Sequence, residues 1–330
     1  MEDPRLLRGR GRYVGDVVLP RMLLAGVPGI EAATVTMDPD GTVRCLVSFP
    51  SQGQGHATTI AQLVADRLGV PLGWISVEPV DTLAAPRGSG TFGSRGAVAM
   101  LGTAAAAADR VRTKLQTPAA HRLEASPADV VLDDRRAHVR GFPDRAVAIA
   151  ELARLAWAPP LGGLPGGLEP GLDATVYFDP PGPTFSGAVH LAVVEVDRET
   201  GRVAVLRYAL VEDCGPVINP TIVEGQIHGA VAQGIGEALL EAVVYDADGQ
   251  LLTGTLMDYA LPKADGVPTF EIVHLETPSP AMPGGVKGMG EGGTIGAPAA
   301  IANAVADAVR PLGLTVTRLP IRSEYLVNKP

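Results

Sequence analysis

Four times along this 330-residue chain a glycine-rich loop runs into a helix-like segment, and that repeated junction constrains the fold more than any other feature. The loops are Gln52-Gly53-Gln54-Gly55-His56 before Thr58 to Leu68, Gly88 to Gly96 before Ala97 to Leu115, Cys214 to Pro220 before Ile222 to Leu240, and Lys287-Gly288-Met289-Gly290-Glu291-Gly292-Gly293 before Pro298 to Val309. Glycine lets backbone N–H groups approach a ligand closely, and a helix N-terminus adds a positive dipole end. The pattern predicts a cage of helix N-termini around a large polyanion. Glu291, a lone carboxylate among glycines, is the candidate catalytic base.

Composition decides what the polyanion is not. The net charge is −9 and the basic residues are scattered, so the footprint of a nucleic-acid binder is absent. A bound anion must then be held mainly by backbone donors. The two cysteines, Cys45 and Cys214, are too few for a disulfide framework and lack the spacing of a zinc or iron–sulfur site, which points to a reducing compartment. The first residues carry no apolar signal-like core, and no run of eighteen apolar residues occurs, so no membrane span and a cytoplasmic location are expected.

The organisation reads as mixed rather than regularly alternating. Thr42 to Phe49, Trp74 to Val80 and Val130 to Leu132 are strand-like, with Ala137 to Val139 returning across a turn at Asp133-Asp134. The glycine- and proline-dense stretch from Pro159 to Pro183 reads as a linker, with a boundary near Gly162. Beyond it, His190 to Asp197 and Arg202 to Glu212 form a predicted hairpin, as do Ala242 to Tyr245 and Gln250 to Thr253, and Phe270 to Leu275 adds a strand.

Each residue singled out also has a plainer reading. Glu291 would complement a helix dipole, His56 would be a surface or first-turn histidine, and Arg95 would pair with a carboxylate such as Asp109. Asn219-Pro220 starts a helix, and Cys214 is a small buried residue. The string Gly288 to Gly293 also matches a dinucleotide-binding pattern, yet Pro278, Pro280 and Pro283 interrupt the strand that should precede it, and Pro311 to Val316 carries no acidic residue. A nicotinamide dinucleotide enzyme is therefore the minor alternative.

The strings QGQGHATTIAQLVADRLGVP (52–71), TFGSRGAVAMLG (91–102), VEDCGPVINPTIVEGQIHGAVAQGIGEAL (211–239) and GGVKGMGEGGTIGAPAAIANAVADA (284–308), in this order, resemble the molybdopterin-binding large subunit of molybdenum hydroxylases. That family includes xanthine dehydrogenases, aldehyde oxidoreductases and aerobic carbon monoxide dehydrogenases. The resemblance implies a molybdenum cofactor, in bacteria commonly molybdopterin cytosine dinucleotide, whose phosphates are the expected polyanion. It places Gln52, Gly53, Gln54, Gly55 and His56 on one cofactor loop, Phe92, Gly93, Ser94 and Arg95 on a second, and Lys287, Gly288, Met289 and Gly290 with Glu291 beneath the metal. Glu291 would take the proton of the water or hydroxide whose oxygen attacks an electron-poor carbon. The metal would be held by the pterin, with no direct protein ligand. Since the chain carries no iron–sulfur cluster or FAD of its own, electrons would pass to separate iron–sulfur and FAD subunits.

Residues 2–25 resemble the N-terminus of such large subunits, but from Gly29 onward the chain resembles their second half, so the middle is missing. The expected fold is α+β, equivalent to the second molybdopterin-binding domain, with two α/β subdomains at 26–160 and 161–330 after a remnant at 1–25. Expected partners are a small-molecule substrate (an aldehyde, a nitrogen heterocycle or carbon monoxide), the two electron-transfer subunits, a chain supplying the first molybdopterin-binding domain, or further copies in a homo-oligomer. A non-catalytic cofactor-binding or scaffold protein derived from the family is the alternative.

Overall fold

The computed structural model describes residues 29–78, 81–84, 87–159, 164 and 169–327, and the backbone alone of 23–25. In chain order its first elements are β1 (Leu23–Ala25), β2 (Glu31–Met37), β3 (Val43–Val47), α1 (His56–Leu68), β4 (Ile75–Val77), α2 (Gly96–Met100) and α3 (Ala106–Leu123). Next come β5 (Val130–Asp133), β6 (Arg136–Val139), β7 (Phe142–Ala148), α4 (Ile149–Trp157) and β8 (Asp173–Phe178). The remainder is β9 (Thr184–Val196), β10 (Val203–Asp213), α5 (Pro220–Leu239), β11 (Phe270–Leu275) and α6 (Gly292–Val309).

The elements form two compact units, one of residues 26–184 with 279–288, the other of 185–278 with 289–330 and the N-terminal 25 residues. This moves the expected boundary from near Gly162 to Thr184/Phe185. The reason is β8, which lies inside the expected linker yet pairs antiparallel with β2, Glu31 opposite Phe178 through Thr36 opposite Asp173. The ladder takes up backbone groups of residues 173–178 in that glycine- and proline-rich stretch. The expected N-terminal remnant lies outside the described residues except for β1, the edge strand of the second unit's sheet.

In the first unit the sheet order is β4-β3-β2-β8, and a smaller antiparallel sheet runs β5-β6-β7. Strand β3 shows the two-residue period of a half-buried strand, with Val43, Cys45 and Val47 buried and Arg44 exposed. Helix α1 buries Ile60, Val64 and Leu68 at four-residue spacing, and Gly69 closes it in the left-handed conformation, φ 65°. The predicted helix at Ala97 to Leu115 continues to Leu123, with a π turn at Leu101–Ala105 between α2 and α3 and Pro118 inside the last turns. The turn after β5 falls at Asp134-Arg135, both with positive φ, one residue beyond the predicted pair.

In the second unit the sheet order is β1-β9-β10-β11, with β9 and β10 antiparallel and β10 and β11 parallel. The predicted hairpin across 198–201 and the strand Phe270–Leu275 are both present. The second predicted hairpin is reduced to its turn, with one antiparallel bridge between Tyr245 and Leu251 and no extended strands. Helix α5 starts at Pro220, with the Asn219 side chain accepting from the Ile222 N–H at 3.0 Å, as an N-cap followed by proline should. Helix α6 begins at Gly292, six residues before the predicted start, and Pro298 lies inside it.

The α5–α6 contact depends on a glycine. A Cβ on Gly234 would lie 2.5 Å from the Ala297 Cβ, so the helices approach more closely than two side chains permit. Gly234→Ala is expected to destabilise the chain by about 1–3 kcal/mol through overpacking, whereas Gly225→Ala, with open space at its Cβ, should stabilise α5 by up to about 1 kcal/mol. Thermal unfolding of both variants checks the difference in sign.

One buried ion pair anchors the start of β2 to the second glycine-rich loop. Glu31 and Arg95 have side chains 1% and 2% exposed, 2.8 Å apart. Removing one partner of a buried pair strands the other charge, so Glu31→Ala is expected to cost about 3–5 kcal/mol in denaturant unfolding. Loss of less than 1 kcal/mol would mean that Arg95 finds another partner.

Candidate functional site

The first unit brings two of the expected cofactor loops together. His56 opens α1 and is buried, with its ring edge-to-face against Phe49 at 5.7 Å between centroids. Its Nε2 lies 2.6 Å from where a Cβ on Gly96 would stand, so the glycine at the head of α2 makes room for the imidazole. His56 Nδ1 is buried with no hydrogen-bond partner among the described residues, and burial pushes the imidazole down to about 4, which keeps it neutral near pH 7. Thr91 Oγ1 donates to the Pro50 carbonyl at 2.6 Å, a second tie between the loops.

Within the first loop the Gln54 carbonyl accepts from the Gln52 N–H, so that side chain folds back on its own loop. Gly53 and Gly55 take φ 100° and 73°, and nothing lies within 4 Å of a Cβ placed on Gly53. The backbone ahead of α1 is thus open to a ligand at the N-terminus of a 13-residue helix. In the second loop Gly93 and Ser94 are both left-handed, φ 55° and 53°, and Phe92 is 46% exposed beneath the Arg95 guanidinium, 5.0 Å from the ring centroid.

Arg95 pairs with a carboxylate, as the plainer reading had it, but not with Asp109, which binds Arg67 at 3.3 Å. The Arg95 guanidinium instead donates to Glu31 and to the Gly29 carbonyl. The Glu31 carboxyl also accepts the backbone N–H groups of Ser89 and Gly90 at 3.0 and 2.9 Å and the Ser48 hydroxyl. These bonds make Arg95 the internal strut of the loop, while its Nε remains buried without a partner. Glu31 escaped the sequence reading because an acidic residue heading a strand gives no local signal of burial.

The fourth loop divides between the units: Lys287 and Gly288 belong to the first, Met289, Gly290 and Glu291 to the second. Glu291 occupies the N-cap position of α6, and its carbonyl accepts from the Ile295 N–H at 3.2 Å. Met289 packs against the second unit's core, and its carbonyl accepts from the Gly292 N–H at 3.0 Å. The glycines that follow face protein. A Cβ on Gly293 would stand 2.7 Å from the Ala230 Cβ, and one on Gly296 2.4 Å from the His190 ring.

Beneath this turn lie polar residues that the sequence reading passed over. Glu212 on β10 is 1% exposed and His190 on β9 is 5% exposed. His190 Nδ1 and the Tyr208 hydroxyl share a hydrogen bond of 2.7 Å, and burial pushes the imidazole down to about 4. Burial, and then the neighbouring charge of Asp213, push the Glu212 carboxyl up to about 8. An inward position on a strand next to Asp213 and Cys214 was the only available hint. Among the described residues no group of three or more histidine, cysteine or acidic side chains is placed to hold a metal ion, and no helix is long and apolar enough to cross a membrane.

Comparison with known proteins identifies the family. The chain is 47% identical to the nicotine 6-hydroxylase large subunit of Paenarthrobacter nicotinovorans, over 90% of this chain and 36% of that protein. It is 39% identical to the carbon monoxide dehydrogenase large chain of Hydrogenophaga pseudoflava, over 93% of this chain and 38% of that one. The crystal structure of quinoline 2-oxidoreductase from Pseudomonas putida 86 superposes with a TM-score of 0.85 at 44% identity, covering 90% of this chain and 38% of that chain. The chain thus spans a little over a third of the length of the relatives it matches. The profile of the molybdopterin cofactor-binding domain matches residues 12–268. The chain therefore belongs to the molybdopterin cofactor-binding domain family, that of the large subunits of molybdenum hydroxylases.

Proposed function

We propose that this chain is the second molybdopterin-binding portion of a molybdenum hydroxylase large subunit, with Glu291 as its general base. The observation that carries the reading is the position of Glu291 at the head of α6, in a turn seated closely on its own sheet and on α5. The residues fit the cofactor: an open glycine backbone precedes α1, and His56 adds a buried, unpartnered ring nitrogen beside it. Gln52–His56 and Phe92–Ser94 would hold the pterin and its phosphates in the cytosine dinucleotide form, with Arg95 as the strut beneath the second loop, and Lys287 to Gly290 would contribute to the same cofactor. When bound, the molybdenum pterin supplies the two-electron acceptor.

The reaction class replaces a C–H bond with C–OH, taking the oxygen from water and releasing two protons and two electrons. Glu291 would take up one of those protons, and separate iron–sulfur and FAD subunits would receive the electrons. Two of the relatives are named for nicotine and quinoline, which favours a nitrogen heterocycle as the substrate class. The buried free thiols Cys45 and Cys214 fit a reducing cytoplasmic setting.

Glu291→Gln, assayed with an artificial electron acceptor in the reconstituted enzyme, is expected to keep its molybdenum and pterin while turnover falls at least about a hundredfold. Unchanged turnover removes Glu291 from the base role.

The reading also requires a partner. In the second unit Val243, Leu252, Leu256 and Met257 are 62%, 52%, 77% and 93% exposed along one segment without helix or strand. Monomers seldom leave such apolar surface in water. Purified alone, the chain is expected to self-associate or to be unstable and to hold little molybdenum. Coexpression with a chain carrying the rest of the large subunit should raise both metal content and Tm. A monodisperse monomer with a full complement of molybdenum would show that the chain suffices by itself.

A further inference from the structure

Under the first turn of α6 the inner face of the sheet carries polar side chains where aliphatic ones would be expected. Ser186 and Glu212 are each 1% exposed and His190 is 5% exposed. Ser186 Oγ, both Glu212 oxygens and both ring nitrogens of His274 make no hydrogen bond with any described residue. Glu212 and His274 are register partners on the adjacent parallel strands β10 and β11, so their side chains leave the same face side by side. Glu212 Oε1 lies 2.5 Å from where a Cβ on Gly292 would stand, and Gly292 follows Glu291 directly.

Among the described residues none donates a hydrogen bond to the Glu212 carboxyl. On its own strand Asp213 adds a like charge, and that carboxyl is engaged by the Gly215 and Thr277 N–H groups at 3.0 and 3.1 Å. Next to it Cys214 stays a thiol, since burial and then Glu212 push it up to about 11. From β9 comes the neutral His190, and beside Glu212 on β11 stands His274. The buried positions of α5, among them Val223, Ile227, Ala230 and Val231, are apolar. The α6 dipole would favour a carboxylate, but neither Glu212 oxygen accepts an N–H from it, so the cost of burying an unpaired charge dominates.

We propose that Glu212 is a positioning residue for the Glu291 turn: a neutral carboxylic acid that fills the space beneath Gly292. This rests on the proposed function only in giving Glu291 its role. Ionisation of Glu212 would leave an unpaired buried charge beneath Gly292 and disturb the turn that carries Glu291. The linkage has a definite sign. An acid raised from 4.5 to about 8 in the folded chain contributes stability that is complete below pH 4.5 and is lost as pH rises toward 8.

Infrared spectra of the full chain should show a protonated-carboxyl C=O band at pH 7 that titrates away near pH 8 and is missing in Glu212→Gln. The fall in Tm between pH 5 and 8 should be smaller in Glu212→Gln than in the native chain. Glu212→Met gives the same comparison should the glutamine variant not fold. Absence of the band at pH 7, or its persistence in both variants, overturns the proposal. In the reconstituted enzyme, kcat should decline above about pH 8 and lose that decline in Glu212→Gln. An identical pH profile with the band abolished would reduce Glu212 to a packing residue and overturn its positioning role. Failure of Glu291→Gln to lower turnover would remove the base assignment and leave the infrared result standing.

Discussion

The first turn of α6 lies closer to its surroundings than residues with side chains permit. Gly292 meets the Glu212 carboxyl, Gly293 meets Ala230 and the α5 backbone, and Gly296 meets the His190 ring. The contact at Gly293 is the least forgiving, because a Cβ there would stand 3.1 Å from the Ile227 carbonyl oxygen and the Val231 nitrogen, atoms that cannot turn aside as a side chain can. This approach fixes where α6 begins, and with it the position of Glu291. The same closeness removes water from Glu212 and His190, which explains why the acid is pushed up and the imidazole down: both are driven toward their neutral forms.

The first unit solves a related problem with charge. A loop with left-handed residues at Gly90, Gly93 and Ser94 has few ladder bonds of its own, so its order comes from the side chains beneath it. Glu31 collects the Arg95 guanidinium, two loop N–H groups and the Ser48 hydroxyl. A buried pair of this kind repays its desolvation only as far as the remaining lone pairs and protons are satisfied; the Glu31 carboxyl is engaged by four donor groups, while Arg95 Nε stays without a partner.

Much of the architecture was legible locally. The glycine before α1, the Asn219-Pro220 start of α5, the β9–β10 hairpin and β11 all follow from signals carried by neighbouring residues. The elements that escaped were those whose evidence is distant. Strand β8 sits in a glycine- and proline-rich stretch and exists because β2 pairs with it. The first turns of α6 have poor intrinsic helix propensity, with Gly292, Gly293, Gly296 and Pro298, and form because α5 and the sheet hold them. In the opposite sense, the hairpin expected around 246–249 had its turn residues but lacked a neighbouring sheet to extend beyond a single bridge.

The sequence alone determined the family, the order of the glycine loops and the identity of Glu291 as the residue to test, because long ordered motifs and helix-start signals are properties of contiguous residues. It could not say what the glycines were for. A glycine run reads the same whether its bare backbone admits a ligand, as the open space at Gly53 allows, or another part of the same chain, as at Gly293. Nor could it single out Glu31, His190, Glu212 or His274, since burial of a polar group depends on what packs over it. Those assignments belong to the tertiary structure, which alone decides which side chains lose their water and which of them find a partner in exchange.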